Sequence, residues 1–401
     1  MTADIRGKNW GKASVFNRDR KPMFGNGLIT IEGDDWVRHR HIITPAFSPA
    51  NLKAMASVMA ESAAGMVRRW GEMINSGDGE AEIDVEKEMI RTAGEIIARS
   101  SFGISYDNGK QVLEKLRSLQ ITLFKSNRRF VGVPFGKFLN PVQARRAKNL
   151  GKEIDRLLYK IIEDRRAGAG GPPAAGKDLL GLLVAPENQK TALTTAELVD
   201  ECKTFFFGGH ETTALALSWT LLMLAVHPDW QVQLREEIAH VIGDSEVIDA
   251  TMVSGLKKMG CVMNEVLRLY CPAPNVQRQA RHDIKVGDLV IPDGTNIWID
   301  VVSMHHDRDL WGEDVHEFKP ERFENDILYG GCNHKMGFLP FGFGGRMCIG
   351  RNLTNLEYRV VLTSILSKFS FSLSPKYRHS PSIMLSLRPQ LGLPLVFRPL
   401  V

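Results

Sequence analysis

The sequence predicts a mostly α-helical chain with small β-sheets, an α+β arrangement in which helices carry most of the core. Apolar residues recur at helical spacing over roughly 50–74, 84–101, 108–126 and 142–166. A further stretch opens at the capping box Thr194-Thr195-Ala196-Glu197 and meets no proline until His227-Pro228, over thirty residues later. At 1.5 Å per residue that is about 48 Å, enough to cross a large domain. The clearest alternation is short: Val276 to Gln279, Ile284 to Val286, Leu289 to Ile291 and Ile297 to Ile299 read as strands of one small sheet. Turns fall at Gly287-Asp288 and Asp293-Gly294.

At 401 residues and 43% hydrophobic, the chain is long enough for a sizeable core, either as one large domain or as two or three. It shows neither repeats nor low complexity. Cys202, Cys261, Cys271, Cys332 and Cys348 are odd in number and widely spaced, which argues against a disulfide framework and a structural zinc site. A net charge of +5 without a dense basic run argues against nucleic acid as the main partner. Met1 to Trp10 is polar, and nowhere do about 18 uncharged apolar residues run together, so no signal peptide or membrane span is expected.

Residues 1–30 have a loop-like composition, and Gly33-Asp34-Asp35-Trp36 then opens a helix with Asp34 or Asp35 as N-cap. Trp36 and Arg40 are four apart and share a face, either as a surface cation over an indole or as a clamp on an anionic group. Gly168 to Gly176 reads as a surface connection. Within the long proline-free helix, Gly208-Gly209 costs roughly 1 kcal/mol per glycine against alanine, and Thr212 and Thr213 can compete for backbone carbonyls. Such a weakened helix gains room for a bulky ligand and a local distortion. Glu211 beside Thr212 supplies an acid and an alcohol able to relay protons. His210-Glu211 lacks the second histidine of a zinc protease, because position 214 is alanine.

Glu265 and Arg268 lie three apart on one helical face, and Phe318-Lys319-Pro320-Glu321-Arg322-Phe323 follows about fifty residues on. Pro340 to Gly350 is a glycine-dense turn with a lone cysteine, Cys348, placed where Leu353, Leu356, Val360, Val361, Ile365 and Phe369 recur at helical spacing. Cys348 is therefore expected at or just before a helix N-terminus, where free N–H groups favour a thiolate, with Arg346 as a nearby cation. This is equipment for a metal–thiolate bond; the alternative is a structural cysteine beside a flexible turn. Ser380 to Leu387 and Leu391 to Phe397 read as a final hairpin.

The pattern Phe341-x-x-Gly344-x-Arg346-x-Cys348-x-Gly350 resembles the haem-binding loop of the cytochrome P450 family, with every fixed position filled. Glu211-Thr212, Glu265/Arg268 with Arg322, and Trp36/Arg40 follow the family's order, so the resemblance covers essentially the whole chain. It implies one catalytic domain over residues 1–401 with a P450-like haem-thiolate fold. It implies haem b with Cys348 as axial thiolate, Thr212 with Glu211 as a distal proton relay, and Trp36, Arg40, Arg278 and Arg346 around the propionates. Phe341, Gly344 and Gly350 would shape the thiolate loop, while Glu265, Arg268 and Arg322 would brace it. Gly208 stands where the family more often has alanine, and Cys271 replaces a usual proline.

The implied activity is monooxygenation of a hydrophobic small molecule with O2 and electrons from an NADPH–cytochrome P450 reductase, docked by Lys335, Arg346 and Arg351. Phe205 to Thr213, Asn275 to Arg281 and Met304 to Gly312 resemble the plant clan of cytokinin, gibberellin and fatty-acid hydroxylases, pointing to an isoprenoid-bearing or fatty substrate. Family members sit at the endoplasmic reticulum membrane, facing the cytosol, and carry an N-terminal anchor and first sheet strands. Their absence here leads to the expectation of an N-terminally shortened form. Two rival readings follow: a haem-binding but inactive fragment, and a reductase-independent haem-thiolate enzyme rearranging peroxides, against which Glu211-Thr212 argues.

Overall fold

A computed structural model describes residues 8–126, 139–168, 178–184, 192–243 and 248–400. The chain enters through strand β1 (Trp10–Gly11) and helix α1 (Ser14–Phe24), where composition predicts loop. Charged residues and the internal Pro22 obscure this helix in sequence; burial of Arg20, Met23 and Phe24 holds it against the core. Helix α2 (Gly33–Ile43) starts just before the predicted cap. Its N-cap position is Glu32, whose carboxylate is committed elsewhere, to the Lys12 N–H and the Arg281 guanidinium. Asp34 and Asp35 occupy the first turn, where they complement the helix dipole.

Next come α3 (Pro49–Asn75), β2 (Ala81–Asp84), α4 (Val85–Phe102), α5 (Tyr106–Ile121), α6 (Pro141–Arg166) and α7 (Leu179–Val184). The four long helices lie where periodicity places them. One π turn, Thr122–Ser126, continues α5. The predicted connection ending at Gly176 lies, from residue 169, outside the described residues.

Helix α8 (Thr195–Val226) is the centre of the molecule. Its capping box closes as predicted: the Thr194 hydroxyl accepts from the Glu197 N–H at 3.3 Å, and Glu197 accepts from the Thr194 N–H at 2.7 Å. Nearly every side chain from Leu198 to Leu224 is buried, as expected of a helix packed on all sides. The α-helix is continuous through Gly208-Gly209. Gly209 is a packing glycine: a Cβ there would lie 2.4 Å from Ile97 Cδ1 of α4.

The chain continues through α9 (Pro228–Val241), α10 (Ala250–Ser254), α11 (Lys257–Leu269), β3 (Asn275–Ala280), β4 (Ile284–Val286), β5 (Leu289–Ile291) and β6 (Asn296–Asp300). Short helices α12 (Val301–His305) and α13 (Arg308–Trp311) lead to the thiolate loop and α14 (Arg351–Leu366). The last strands are β7 (Phe369–Leu373), β8 (Pro381–Met384), β9 (Ser386–Pro389) and β10 (Pro394–Pro399).

Pairing departs from prediction twice. The four middle strands divide between a β1-β3-β6 sheet and a separate β4-β5 hairpin. The end of the chain is not one hairpin: β8 pairs with β9, while β10 runs between β2 and β7, with Leu395 facing both Ile83 and Leu373. Phe369 belongs to β7, because α14 ends at Leu366. One apolar cluster spans the chain from Met23 to Phe397 and surrounds α8.

Candidate active site

The thiolate loop is closed by its own backbone. Cys348 N–H donates to Phe341 C=O at 2.8 Å and Met347 N–H to Gly344 C=O at 3.0 Å. Gly342 and Gly344 adopt φ of +75° and +70°, conformations that an L side chain rarely takes. The approach to the loop is pinned by buried His305, whose Nε2 accepts the Leu339 N–H at 3.0 Å. Burial pushes that histidine down to about 3, so it stays neutral and able to accept.

Behind the loop, Arg268 donates to both oxygens of Glu265 at 2.7 and 2.8 Å and to the carbonyls of His305, Val315 and Glu317. Arg322 approaches Glu265 at 3.5 Å and pairs with Asp314 at 2.7 Å. Glu265 also takes the Lys319 N–H at 2.9 Å. The three predicted residues therefore meet, and the guanidinium of Arg268 ties α11 to the segment running into the loop.

Cys348 precedes α14 by three residues and is open to solvent, although protein surrounds it. Burial raises its thiol pKa above the ordinary value, against the opposing pull of the Gly350 and Arg351 backbone N–H groups and of Arg40 and Arg351. The backbone N–H groups at the helix entry therefore act in the direction the sequence predicts, toward the thiolate, and a bound metal cation acts in the same direction. The Arg346 guanidinium lies 4.6 Å from the Trp36 ring centroid and donates to Ile31 C=O at 3.1 Å. Arg40 stacks on the same indole at 5.9 Å and holds Met347 C=O at 3.1 Å.

Trp36, Arg40 and Arg346 are thus brought together, and Arg278 of β3 joins them through a residue that composition misses. Lys12 has its pKa driven well below the usual lysine range by burial first, then by Arg278, Arg346 and Arg20, with Glu32 pulling the other way. Such crowding of cations suits a ligand that brings carboxylates of its own. The signal available in sequence is slight: one lysine between two short apolar segments.

Along α8, Gly208 and Thr212, one turn apart, interrupt the burial of the helix. A Cβ on Gly208 would meet nothing within 4 Å. Thr212 donates its hydroxyl to Gly208 C=O at 2.8 Å, while Thr213 reaches Thr354 of α14 at 3.2 Å and ties this part of α8 to the helix that follows Cys348. Glu211 is buried, and its Oε1 accepts from Ser386 at 2.6 Å, Gln120 at 2.8 Å and Arg388 at 3.3 Å. Gln120, Ser386 and Arg388 were not anticipated, although an arginine in the apolar strand Ser386–Pro389 was a usable sign. An accessible thiol at a helix entry, a cradle of cations and an uncovered turn of the central helix fit haem, with its iron and two propionates.

Comparison with known proteins agrees with this geometry. The Cytochrome P450 family matches residues 7–395. Cytokinin hydroxylase of Arabidopsis thaliana is 40% identical over 99% of this chain and 75% of its own. Echinocystic acid 23-monooxygenase of Saponaria officinalis is 37% identical over 94% of this chain and 74% of its own. The crystal structure of the cytochrome P450DA heme domain superposes with a TM-score of 0.84 at 24% identity, covering 99% of this chain and 85% of that one. Among the described residues no helix is long and apolar enough to cross a membrane. The chain belongs to the cytochrome P450 family and is a haem-thiolate monooxygenase.

Proposed function

We propose that residues 1–401 act as one catalytic domain that hydroxylates a hydrophobic, isoprenoid-bearing or fatty small molecule, with O2 and electrons from an NADPH–cytochrome P450 reductase at the endoplasmic reticulum membrane. The observations that carry this reading are the accessible Cys348 at the entry to α14 and the uncovered Gly208 and Thr212 turn of α8, whose neighbour Thr213 reaches Thr354 of α14 at 3.2 Å. Haem, when bound, supplies the activation of dioxygen and the insertion of one oxygen atom into a C–H bond. Cys348 is its thiolate ligand, and Arg40, Arg278, Arg346 and Lys12 with Trp36 hold its propionates. Gly208 leaves room on the distal side, and the Thr212 hydroxyl holds a proton there, with Glu211 as the acid behind it.

The relatives named cytokinin hydroxylase and echinocystic acid 23-monooxygenase support hydroxylation of a small molecule by this chain. A groove of about 660 Å³ beside the thiolate loop supports an acidic electron donor, because Lys53, Lys335, Arg351 and Arg359 line it without a carboxylate. Arg346 is not part of that groove; it is turned toward Trp36.

The test of the proton role is Thr212→Ala in the haem-loaded protein. Haem is retained, and reducing equivalents pass to peroxide instead of product. Unchanged coupling of NADPH oxidation to product refutes the role. Spectral-shift titration with cytokinins, gibberellin precursors and fatty acids identifies the substrate class, and no response from any of them removes that assignment.

A further inference from the structure

Glu86, the second residue of α4, is buried beside Arg388 of β9. Arg388 donates to a single Glu86 oxygen, Oε1, from Nε at 3.1 Å and also from Nη2. The same guanidinium reaches Glu211 Oε1 at 3.3 Å and Gln120 Oε1 at 3.4 Å through Nη1. Side-chain exposure is 4% for Arg388, 10% for Glu86 and 2% for Glu211. One shared cation therefore lies between two carboxyl groups that are nearly removed from water.

In such surroundings a single guanidinium compensates one carboxylate well and two poorly. The other titratable and charged groups facing the pair are Arg117, Asp84 and Lys87 at Glu86 and the buried His210 beside Glu211, which burial keeps below the usual histidine range. Arg117 of α5 is half-buried and donates to Gln120 at 2.8 Å, and Asp84 and Lys87 at the start of α4 are paired with each other at 3.0 Å. Burial, then Asp84 and Glu211, push the Glu86 carboxyl up to about 7 against the pull of Arg117 and Lys87.

We propose that Glu86 and Glu211 hold one proton between them across Arg388, making Glu86 a positioning residue that sets the proton affinity of the distal acid. With Glu86 protonated, the charge of Arg388 belongs to Glu211 and keeps it ionised. With Glu86 ionised, Arg388 turns its charge there and Glu211 takes the proton more readily. The exchange moves one proton from one carboxyl to the other, breaks no other bond and leaves the net charge of the cluster unchanged. Of the two carboxyl groups Glu86 lies nearer the accessible Asp84–Lys87 pair, its side chain 10% exposed against 2% for Glu211. The inference rests on the reading of Glu211 as the acid behind Thr212.

The experiment is an infrared titration of carboxyl C=O bands in the ferric, haem-loaded protein across neutral pH, with the reduced carbon-monoxide spectrum confirming that each variant is loaded. The wild type is expected to lose one buried carboxyl band with a midpoint near about 7. Glu86→Gln abolishes that band. Glu211→Gln keeps it but lowers its midpoint by on the order of one pH unit, a tenfold change, because the competing charge is gone.

Arg388→Met raises the midpoint, so the two opposite shifts keep the test decisive even if Glu86→Gln does not load haem. A band that survives Glu86→Gln, or a midpoint unmoved by both Glu211→Gln and Arg388→Met, overturns the proposal. Failure of the relay itself is read separately. If Glu211→Gln shifts the band yet leaves product and peroxide yields unchanged, the shared proton stands and the catalytic role of Glu211 falls.

Discussion

Replacing Arg268 with methionine tests the brace behind the thiolate loop. Its guanidinium is fully buried, meets both Glu265 oxygens at 2.7 and 2.8 Å, and feeds three carbonyls at 3.0, 2.6 and 3.1 Å. Methionine fills much of the volume but strands Glu265, which keeps only the Lys319 N–H at 2.9 Å and Arg322 at 3.5 Å. Breaking one side of a buried ion pair costs about 3–5 kcal/mol, most of it from the carboxylate left behind. Glu265→Leu in the same chain removes that carboxylate, so the double variant is predicted to recover about 2 kcal/mol while the three carbonyls stay unpaired. Urea unfolding of the haem-loaded protein, followed by tryptophan fluorescence and by haem absorbance, measures both. A single variant less than about 1 kcal/mol below wild type, or a double variant less stable than the single, refutes this account of the brace.

The two adjacent glycines of α8 are predicted to respond with opposite signs. Gly209→Ala forces a Cβ to 2.4 and 2.8 Å from Ile97 and lowers thermal stability by about 1–3 kcal/mol, whereas Gly208→Ala meets open space and gains up to ~1 kcal/mol of helix propensity. Equal shifts of melting temperature would contradict these placements. His39 of α2 is hydrogen-bonded to Glu201 of α8 at 2.6 Å and lies 3.3 Å from Glu197. Burial lowers its pKa, but the two carboxylates outweigh burial and raise it, while burial also lifts Glu201. A histidine raised on folding contributes stability that is complete below the usual value of about 6.5 and is lost as pH rises through the folded value. His39→Gln should flatten that decline in melting temperature by on the order of 1 kcal/mol, and an unchanged slope would show that His39 does not drive it.

Much of the fold was legible because its largest elements follow simple periodicities. Thr194 and Glu197 announce the start of α8, and the absence of proline before Pro228 sets its length. The strands between Asn275 and Asp300 were equally plain, but their partners were not. Pairing of β10 with β2 joins residues some three hundred positions apart, and nothing local in Pro394–Pro399 selects that neighbour over β9. Helix α1 was hidden because its helical face is made by Arg20, Met23 and Phe24 in a segment otherwise rich in charge.

The site shows the same division. The loop from Phe341 to Gly350 carries its own geometry in its glycines, so sequence alone locates it. The charge environment is another matter. Arg346 sits two residues from Cys348 yet stacks on Trp36, three hundred and ten positions away, while Arg40 and Arg351 act on the sulfur. Spacing places Glu211 beside Thr212, but only packing reveals that Gln120, Ser386 and Arg388 converge on its carboxylate. Proximity along the chain predicts backbone shape well and electrostatic partnership poorly, since the partners are supplied by whatever the fold brings alongside.

The most direct test of the central claim is the carbon-monoxide difference spectrum of the reduced, haem-loaded protein beside that of Cys348→His. The wild type is predicted to show the thiolate-type band and the variant to hold haem with the band of a neutral nitrogen ligand. A thiolate-type band that survives the replacement, or its absence from the wild type, would contradict Cys348 as the ligand.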